Sequence, residues 1–382
     1  MNIGIDGKIF SLDNPTGIVS YSKNIIENLY LPGDNVIYFM TNKEKNKVKL
    51  PKTNSKSVNI SVLKDFILKN KNSPALFRFI FLDGKYVLKH NNIDTYWATN
   101  FIAPLHMPYS TKFVLSIYDL ITFKYKDEIS HKFINELRNK VITENIYAAD
   151  KIITISNTVK HEIIEYFDIK TPEKIEVVYP ATNHIKRFKL EERVNAINEL
   201  RTKYGLKARN IILTNYAITP RKNIITLVKA YNELDQKIQH DYALFIVGPK
   251  IAEYTETYKE LMHESLKNKY GEIIFTGFVS QDELIKIYNS ASLFVSTSVS
   301  EGFDMPVVQA MSIDIPVVAS NIPIHKELLG NLSLYFEPTD YSDLKEKMYS
   351  LLFYKGFIIP EMYMFKRYTW QAAALAVNKI LH

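Results

Sequence analysis

Cysteine is absent from the 382 residues. That removes disulfides, thiolate nucleophiles and cysteine-based zinc sites. Glycine is scarce, at 12 residues. Neither G-x-G-x-x-G nor G-x-x-x-x-G-K-[ST] occurs, so the dinucleotide fingerprint and the NTPase phosphate loop are missing. There is no H-E-x-x-H, since His161-Glu162 is followed by Glu165 and His263-Glu264 by Lys267. No Asp-x-Asp pair offers a seat for a metal–diphosphate complex, and no serine nucleophile elbow is present. No apolar run reaches the ~18 residues needed to span a bilayer. The chain runs from Met1 straight into Asn2-Ile3-Gly4-Ile5-Asp6. Without a basic leader, apolar run and cleavage site there, we expect no signal peptide and a cytoplasmic protein.

What remains is an ordinary globular composition, 46% hydrophobic and 23% charged. At about 100–200 residues per domain the length suggests two domains, each able to bury its own core. The net charge of +7 is uneven: residues 1–190 hold 27 Lys/Arg against 19 Asp/Glu, and residues 191–382 hold 21 against 22. The basic half suits an anionic partner, and a lysine-rich codon bias accounts for it equally well.

Short apolar runs without strict alternation predict strands buried on both faces of parallel sheets. In the first half they are Asn2–Asp6, Val36–Met40, Asp94–Ala98, Lys112–Ile117, Lys151–Ile155 and Ile175–Tyr179. In the second they are Asn210–Asn215, Tyr242–Val247, Glu272–Thr276, Leu293–Ser296, Ile315–Ala319 and Leu332–Phe336. Helix-period segments lie between many of them, with Ile18–Leu29, Val159–Phe167, Ile224–Leu234, Asp282–Tyr288 and Asp343–Leu352 the clearest. Alternating strand and helix makes βαβ units, one doubly wound sheet per half. Pro180–Lys189 carries no apolar period and reads as the linker, and the Lys- and Asn-rich Lys43–Ser57 as a solvated loop.

Two stretches carry chemistry. Residues 293–320 read strand, loop, helix, strand, with Glu301-Gly302-Phe303-Asp304-Met305-Pro306 in the loop and Gln309 one turn into the helix. Pro306 suits a first helical turn, and Asp304 or Met305 would cap it. Backbone N–H groups and the helix dipole there can receive an anion, while a carboxylate and an amide nearby can bind sugar hydroxyls. A surface βα loop with an incidental acid would look the same. The second stretch, Asn215-Tyr-Ala-Ile-Thr-Pro220-Arg221-Lys222-Asn223, leads from a strand into a helix. Arg221 and Lys222 would sit at the carboxyl edge of the sheet, where ligands of open α/β sheets bind. Two cations there could neutralise a diphosphate leaving group in place of a metal. A solvated Arg-Lys pair is the plainer account, weakened because cations are unfavourable near a helix start unless an anion joins them.

Together these stretches resemble the donor-site signatures of the family-four retaining GT-B glycosyltransferases. The family's Pro-Arg-Lys-Asn loop and its Glu-Gly-Phe-Gly-x-Pro, with a second Glu eight positions on, correspond to Pro220–Asn223 and to Glu301–Pro306 with Gln309. Ile3-Gly4-Ile5-Asp6, Thr16-Gly17-Ile18 and Tyr21 are similar to its first strand and glycine loop. Tyr118-Asp119-Leu120-Ile121 resembles its His-Asp-Leu-Ile segment. Ile155-Ser156-Asn157 with Lys160, Gly277-Phe278-Val279 with Glu283-Leu284, and Tyr368-Thr369-Trp370 also match, so the resemblance runs through nearly the whole chain in order.

The resemblance implies an α/β protein with two Rossmann-like domains facing an interdomain cleft. An acceptor-binding domain would span 1–185, a nucleotide-sugar-binding domain 186–365, and a helix in 366–382 would cross back to the first. It places Arg221, Lys222, Glu301, Tyr118 and Asp119 at the chemistry. Gly17, Gly302, Phe303, Asp304 and Gln309 would contact the donor, with no metal and no cofactor. The partners would be a nucleotide-diphosphate sugar and a glycan or lipid-linked acceptor of surface polysaccharide synthesis, not nucleic acid. Five positions depart from the pattern. Gln309 replaces a Glu, Tyr118 a His, and Val19, Asp304 and Asp314 replace glycines. A degenerate, non-catalytic support subunit is the alternative those changes raise. Finally, cations alternate with aromatics between Ser61 and His90, including Lys64, Phe66, Phe77, Arg78, Phe79, Phe81, Lys85, Tyr86 and Lys89. That pattern fits peripheral contact with an anionic membrane, or simply core-facing phenylalanines.

Overall fold

The computed structural model describes residues 1–7, 17–40, 55–59, 79–125, 132–181, 185–353 and 368–382. They form two compact units, Met1–Ala181 with Tyr368–His382, and Thr182–Arg367.

The first unit is built on strands β1 (Asn2–Asp6), β2 (Asn35–Met40), β3 (Ser55–Asn59), β4 (Thr95–Ala98), β5 (Lys112–Ile117), β6 (Lys151–Thr154) and β7 (Ile175–Val177). They form one sheet in the order β3-β2-β1-β4-β5-β6-β7. Every pairing is parallel, as in Ile3 opposite Val36 on one side and Thr95 on the other. The four residues of β4 are all buried, which requires helices on both faces of the sheet. Ser156 starts the helix Asn157–Phe167 by accepting from the Val159 amide at 3.1 Å, and Asp168 ends it in a left-handed conformation with φ 48°. The helix Trp370–Leu381 belongs to this unit. Its Leu381 carbonyl accepts from the Thr95 hydroxyl at 3.0 Å, and Trp370 packs edge-on to Tyr21.

The second unit repeats the design. Strands β8 (Asn210–Asn215), β9 (Tyr242–Val247), β10 (Ile273–Gly277), β11 (Ala291–Ser296), β12 (Val317–Ser320) and β13 (Leu334–Phe336) pair in the order β10-β9-β8-β11-β12-β13. All these pairs are parallel as well. In both sheets the order reverses beside the first strand, between β1 and β4 and between β8 and β11. In an open α/β sheet that is where a crevice opens at the carboxyl ends of the strands.

Two expectations need correction. Ser55–Ser57, read as solvated loop, begins β3; the rest of Lys43–Ser57 lies outside the described residues. The strand is at the sheet edge, pairs only with β2 and exposes Lys56, so it lacks the apolar run that marks a buried strand. Strand β12 starts at Val317 rather than Ile315, because Pro316 has no N–H to give and only its carbonyl joins the ladder, accepting from Phe294. The polar-rich helices Lys132–Ala148 and Leu190–Tyr204 add to the helices read from periodicity.

Candidate functional site

The two stretches singled out in the sequence meet at the switch point of the second sheet, one after β8 and the other after β11. Pro220 opens a single tight turn, Pro220–Lys222, which Asn223 ends in the left-handed region at φ 49° before the helix Ile224–Asn232. Asparagine tolerates that backbone, and its side-chain amide donates to the Pro338 carbonyl at 2.7 Å. The β11 loop is fastened to this turn from the other side. Val299 N–H donates to the Arg221 carbonyl at 2.9 Å, and the Thr297 hydroxyl to that of Lys222 at 2.8 Å.

These ties bring Arg221, Lys222 and Glu301 together. The Arg221 guanidinium lies 2.8 Å from one oxygen of Glu301, the Lys222 ammonium pairs with the other, and Arg221 also donates to the Ser300 carbonyl at 2.5 Å. The carboxylate is only 8% exposed and the two cations 19% and 14%. Three charges so withdrawn from water are costly unless they meet one another or a charged ligand. Two cations against one carboxylate leave a net positive site at a sheet switch point.

Behind this cluster lies a buried polar group that the sequence did not announce. Asp304 caps the helix Met305–Ser312, accepting from Val307 N–H at 3.4 Å. Its carboxylate is fully buried and meets the Tyr216 hydroxyl at 2.7 Å, the Ser296 hydroxyl at 2.8 Å and His325 Nε2 at 2.9 Å. Burial pushes the Asp304 carboxyl up. The bond and charge of His325, the Lys222 ammonium and the Tyr216 hydroxyl more than reverse this and hold it below the ordinary carboxylate range. Lys222 Nζ stands 4.2 Å from the centre of the Tyr216 ring, so the buried group and the surface cluster touch. Tyr216 directly follows β8, Asp304 ends the loop after β11, and His325 lies in the helix Pro323–Leu329 after β12, so no local spacing links the three. Asp304 was legible as a cap, as a replaced glycine and as a donor contact, but not as the buried partner of His325. Asp314, another such replacement, sits at φ 62°, which explains why glycine suits the position; its carboxylate pairs with Arg187.

The remaining sequence-derived residues divide by unit. Gly302 and Phe303 are buried in the β11 loop and Gln309 is half-buried on the helix it precedes. Gly17, Tyr118 and Asp119 belong to the first unit. Gly17 begins the helix Gly17–Asn28, and a Cβ there would meet nothing within 4 Å. Val19, one of the replaced glycines, is buried in that helix. The Tyr118 phenol is buried, donates to the Thr99 carbonyl at 2.5 Å and lies 2.7 Å from Ser22 Oγ. Burial pushes its hydroxyl far above the ordinary tyrosine range. Asp119 accepts from Ile121 N–H at 3.0 Å.

Of the aromatic–basic segment, Lys64, Phe66, Phe77 and Arg78 lie outside the described residues. Phe79 is fully buried and stacks on Phe39 with ring centres 6.0 Å apart, so it serves the core. Tyr86 is 73% exposed, Lys89 is exposed, and Lys85 lies 5.2 Å from the centre of the exposed Tyr109 ring. Among the described residues no helix is long and apolar enough to cross a membrane.

Residues 196–356 match the family described as Glycosyl transferases group 1. The chain is 31% identical over 235 residues to the serotype-specific mannosyltransferase WbdA of Escherichia coli, a match covering 60% of this chain and 28% of the relative. It thus spans under a third of that relative's length. Among solved structures, a sucrose-phosphate synthase from Thermosynechococcus elongatus superposes with a TM-score of 0.73 at 17% identity, covering 99% of this chain and 98% of that one. Anabaena HepE in complex with UDP-glucose superposes with a TM-score of 0.68 at 15% identity, covering 100% and 98%. At such identities the likeness speaks for the fold, and that fold is the GT-B class expected from the resemblance.

Proposed function

We propose, from the premise that this chain carries a glycosyl transferases group 1 domain, that it transfers a hexose, mannose foremost, from a nucleoside-diphosphate sugar to a glycan or lipid-linked acceptor, with retention at the anomeric carbon. The observation that carries this reading is the convergence of Arg221 and Lys222 on Glu301 at the β8–β11 switch point. Mannosyl transfer and a role in surface polysaccharide are supported by WbdA, whose name states a serotype-specific mannosyltransferase. A nucleotide-sugar donor is supported by HepE, whose complex holds UDP-glucose.

In this reading the second unit holds the donor. Arg221 and Lys222 face the diphosphate and neutralise the negative charge that grows as the bond from the anomeric carbon to the phosphate oxygen breaks. Glu301 leaves part of its ion-pairing to the diphosphate and orients the sugar through hydroxyl groups. Gln309 binds the ribose by an uncharged hydrogen bond. Backbone N–H groups of Phe303 and Asp304, beside Gly302, contact sugar or phosphate. The acceptor hydroxyl attacks from the face the leaving group departs. Its proton passes to the departing phosphate oxygen, so no enzymic nucleophile is needed. The two cations do the work a metal ion does in enzymes with an Asp-x-Asp seat. The first unit takes the acceptor and supplies Gly17, Tyr118 and Asp119. Tyr118, bonded to Thr99 and Ser22, fits a part in holding the end of β5, and Asp119 is the more open of the two. Peripheral contact with the cytoplasmic face of a membrane, through Lys85, Tyr86 and Lys89 among others, would bring a lipid-linked acceptor within reach.

Incubating the protein with GDP-mannose or UDP-glucose and a mannosylated acceptor, with and without EDTA, tests the reading. The expected product has the donor's anomeric configuration by NMR, at the same rate in EDTA. Inverted product, or activity lost in EDTA and restored by manganese or magnesium, would overturn the mechanism.

A further inference from the structure

The buried pair behind the donor cluster raises a question of proton count. The Ser320 hydroxyl donates to the Ser298 carbonyl at 2.5 Å, so its lone pairs face His325 Nδ1 at 3.1 Å. The Ser320 carbonyl stands 2.8 Å from the same nitrogen. Two acceptors around Nδ1 require it to carry its hydrogen. The neutral imidazole would then turn a bare Nε2 lone pair toward the Asp304 carboxylate oxygen 2.9 Å away. Two lone pairs cannot face each other at that distance inside a fully buried cluster, so a proton lies between them. Whether it rests on the imidazole or on the carboxyl, the pair sums to no net charge.

That neutrality matters where the pair stands. Asp304 is the cap of the helix Met305–Ser312, and an unneutralised carboxylate there would oppose a diphosphate at the same end. Around the pair stand Tyr216 and Lys222 after β8, Ser296 from β11 and Ser320 from β12, with Glu301 acting on Tyr216 from the β11 loop. With the shared proton present, the cluster keeps the one positive charge left by Arg221, Lys222 and Glu301. Without it, that charge is cancelled.

We infer that Asp304 and His325 are positioning residues that share a buried proton, keeping the donor end of this helix electrically neutral and holding Tyr216 beneath Lys222. This rests on the donor reading of the site. The side chains of the pair act through Tyr216 and the local field and touch no substrate in the proposed scheme.

The test compares wild type, His325→Gln and the double variant His325→Gln/Asp304→Asn by calorimetric titration with GDP-mannose and UDP-glucose at neutral pH. His325→Gln leaves a carboxylate without its proton and should weaken donor binding roughly tenfold at neutral pH, the scale of one charge at close range in protein. Adding Asp304→Asn to it restores neutrality and should recover most of that loss, which a purely structural defect would not do. Equal affinities in wild type and His325→Gln, or a double variant weaker than His325→Gln, would overturn the inference. A second measurement needs neither donor nor stable variants: the ¹⁵N spectrum of His325 in the wild-type protein. Two N–H nitrogens, or an Nε2 strongly shifted by a shared proton, is the expected signature, and a bare Nε2 with a free lone pair would overturn the inference. If wild type binds neither sugar while the spectrum shows the shared proton, the donor reading fails and the buried pair stands.

Discussion

At the scale of the residue, roles are decided by what each side chain meets rather than by its type. Arg221, Lys222 and Glu301 could be named from the chain because the two motifs are local: a proline-led turn after one strand and an acid four residues before a helix. Their mutual contact could not, since it spans from 221 to 301 and depends on β8 and β11 being neighbours. His325 gave no sign in the sequence at all, because its partner Asp304 caps a different helix and its burial is a tertiary fact. Tyr118 was legible as a replacement for histidine, but not as a buried phenol tied to Thr99. Charge separates the remaining two. Glu301 keeps a carboxylate that both cations engage, whereas position 309 already carries an amide. Glu301→Gln should therefore lower kcat/KM more than Gln309→Ala does. Steady-state kinetics on both purified variants decide it, and the reverse order would count against the assigned roles.

At the scale of the element, the donor loops depend on close backbone approaches. The end of β9 passes the β8 loop so tightly that a Cβ on Gly248, at φ +134°, would lie 2.2 Å from the Tyr216 carbonyl oxygen. Tyr216 N–H meanwhile donates to the Val247 carbonyl at 2.8 Å, which leaves the loop no room to retreat. Gly248→Ala should destabilise the protein by about 1–3 kcal/mol and displace Tyr216. Gly205 is the control. It also has a positive φ, +66°, but its Cβ would meet nothing within 4 Å, so Gly205→Ala should cost only about 1–2 kcal/mol in backbone strain. Urea midpoints and donor affinity for both variants check this, with donor affinity falling only in Gly248→Ala. The buried strands were legible because a parallel sheet covered on both faces demands uninterrupted apolar runs. The edge strand β3 was not, because an edge is protected by polar residues that resemble a loop.

At the scale of the whole molecule, one doubly wound parallel sheet in each half was legible in the alternation of strands and helices. The pairing order itself was not, because it is set by contacts far apart in the chain. The excess of Lys and Arg in the first half is a property of this scale too. Exposed Tyr86 and Lys89, with Lys85 beside Tyr109, give it a local face. Co-sedimentation with vesicles of anionic lipid should be strong at low salt and weak at high salt, since each basic residue near such a surface contributes about 1 kcal/mol that salt screens. Equal binding to neutral vesicles, or none at low salt, would leave a soluble acceptor as the better account. The central claim, that Arg221, Lys222 and Glu301 form a nucleotide-sugar site, is tested most directly by a thermal-shift panel of nucleoside-diphosphate sugars on wild type and on the Arg221→Ala/Lys222→Ala double variant. A ligand at ~100 times its Kd stabilises by about 2.7 kcal/mol, so at least one member, GDP-mannose foremost, should raise the melting temperature of wild type by several degrees and leave the folded double variant unmoved. No shift with any member, or the same shift in both proteins, would contradict the account.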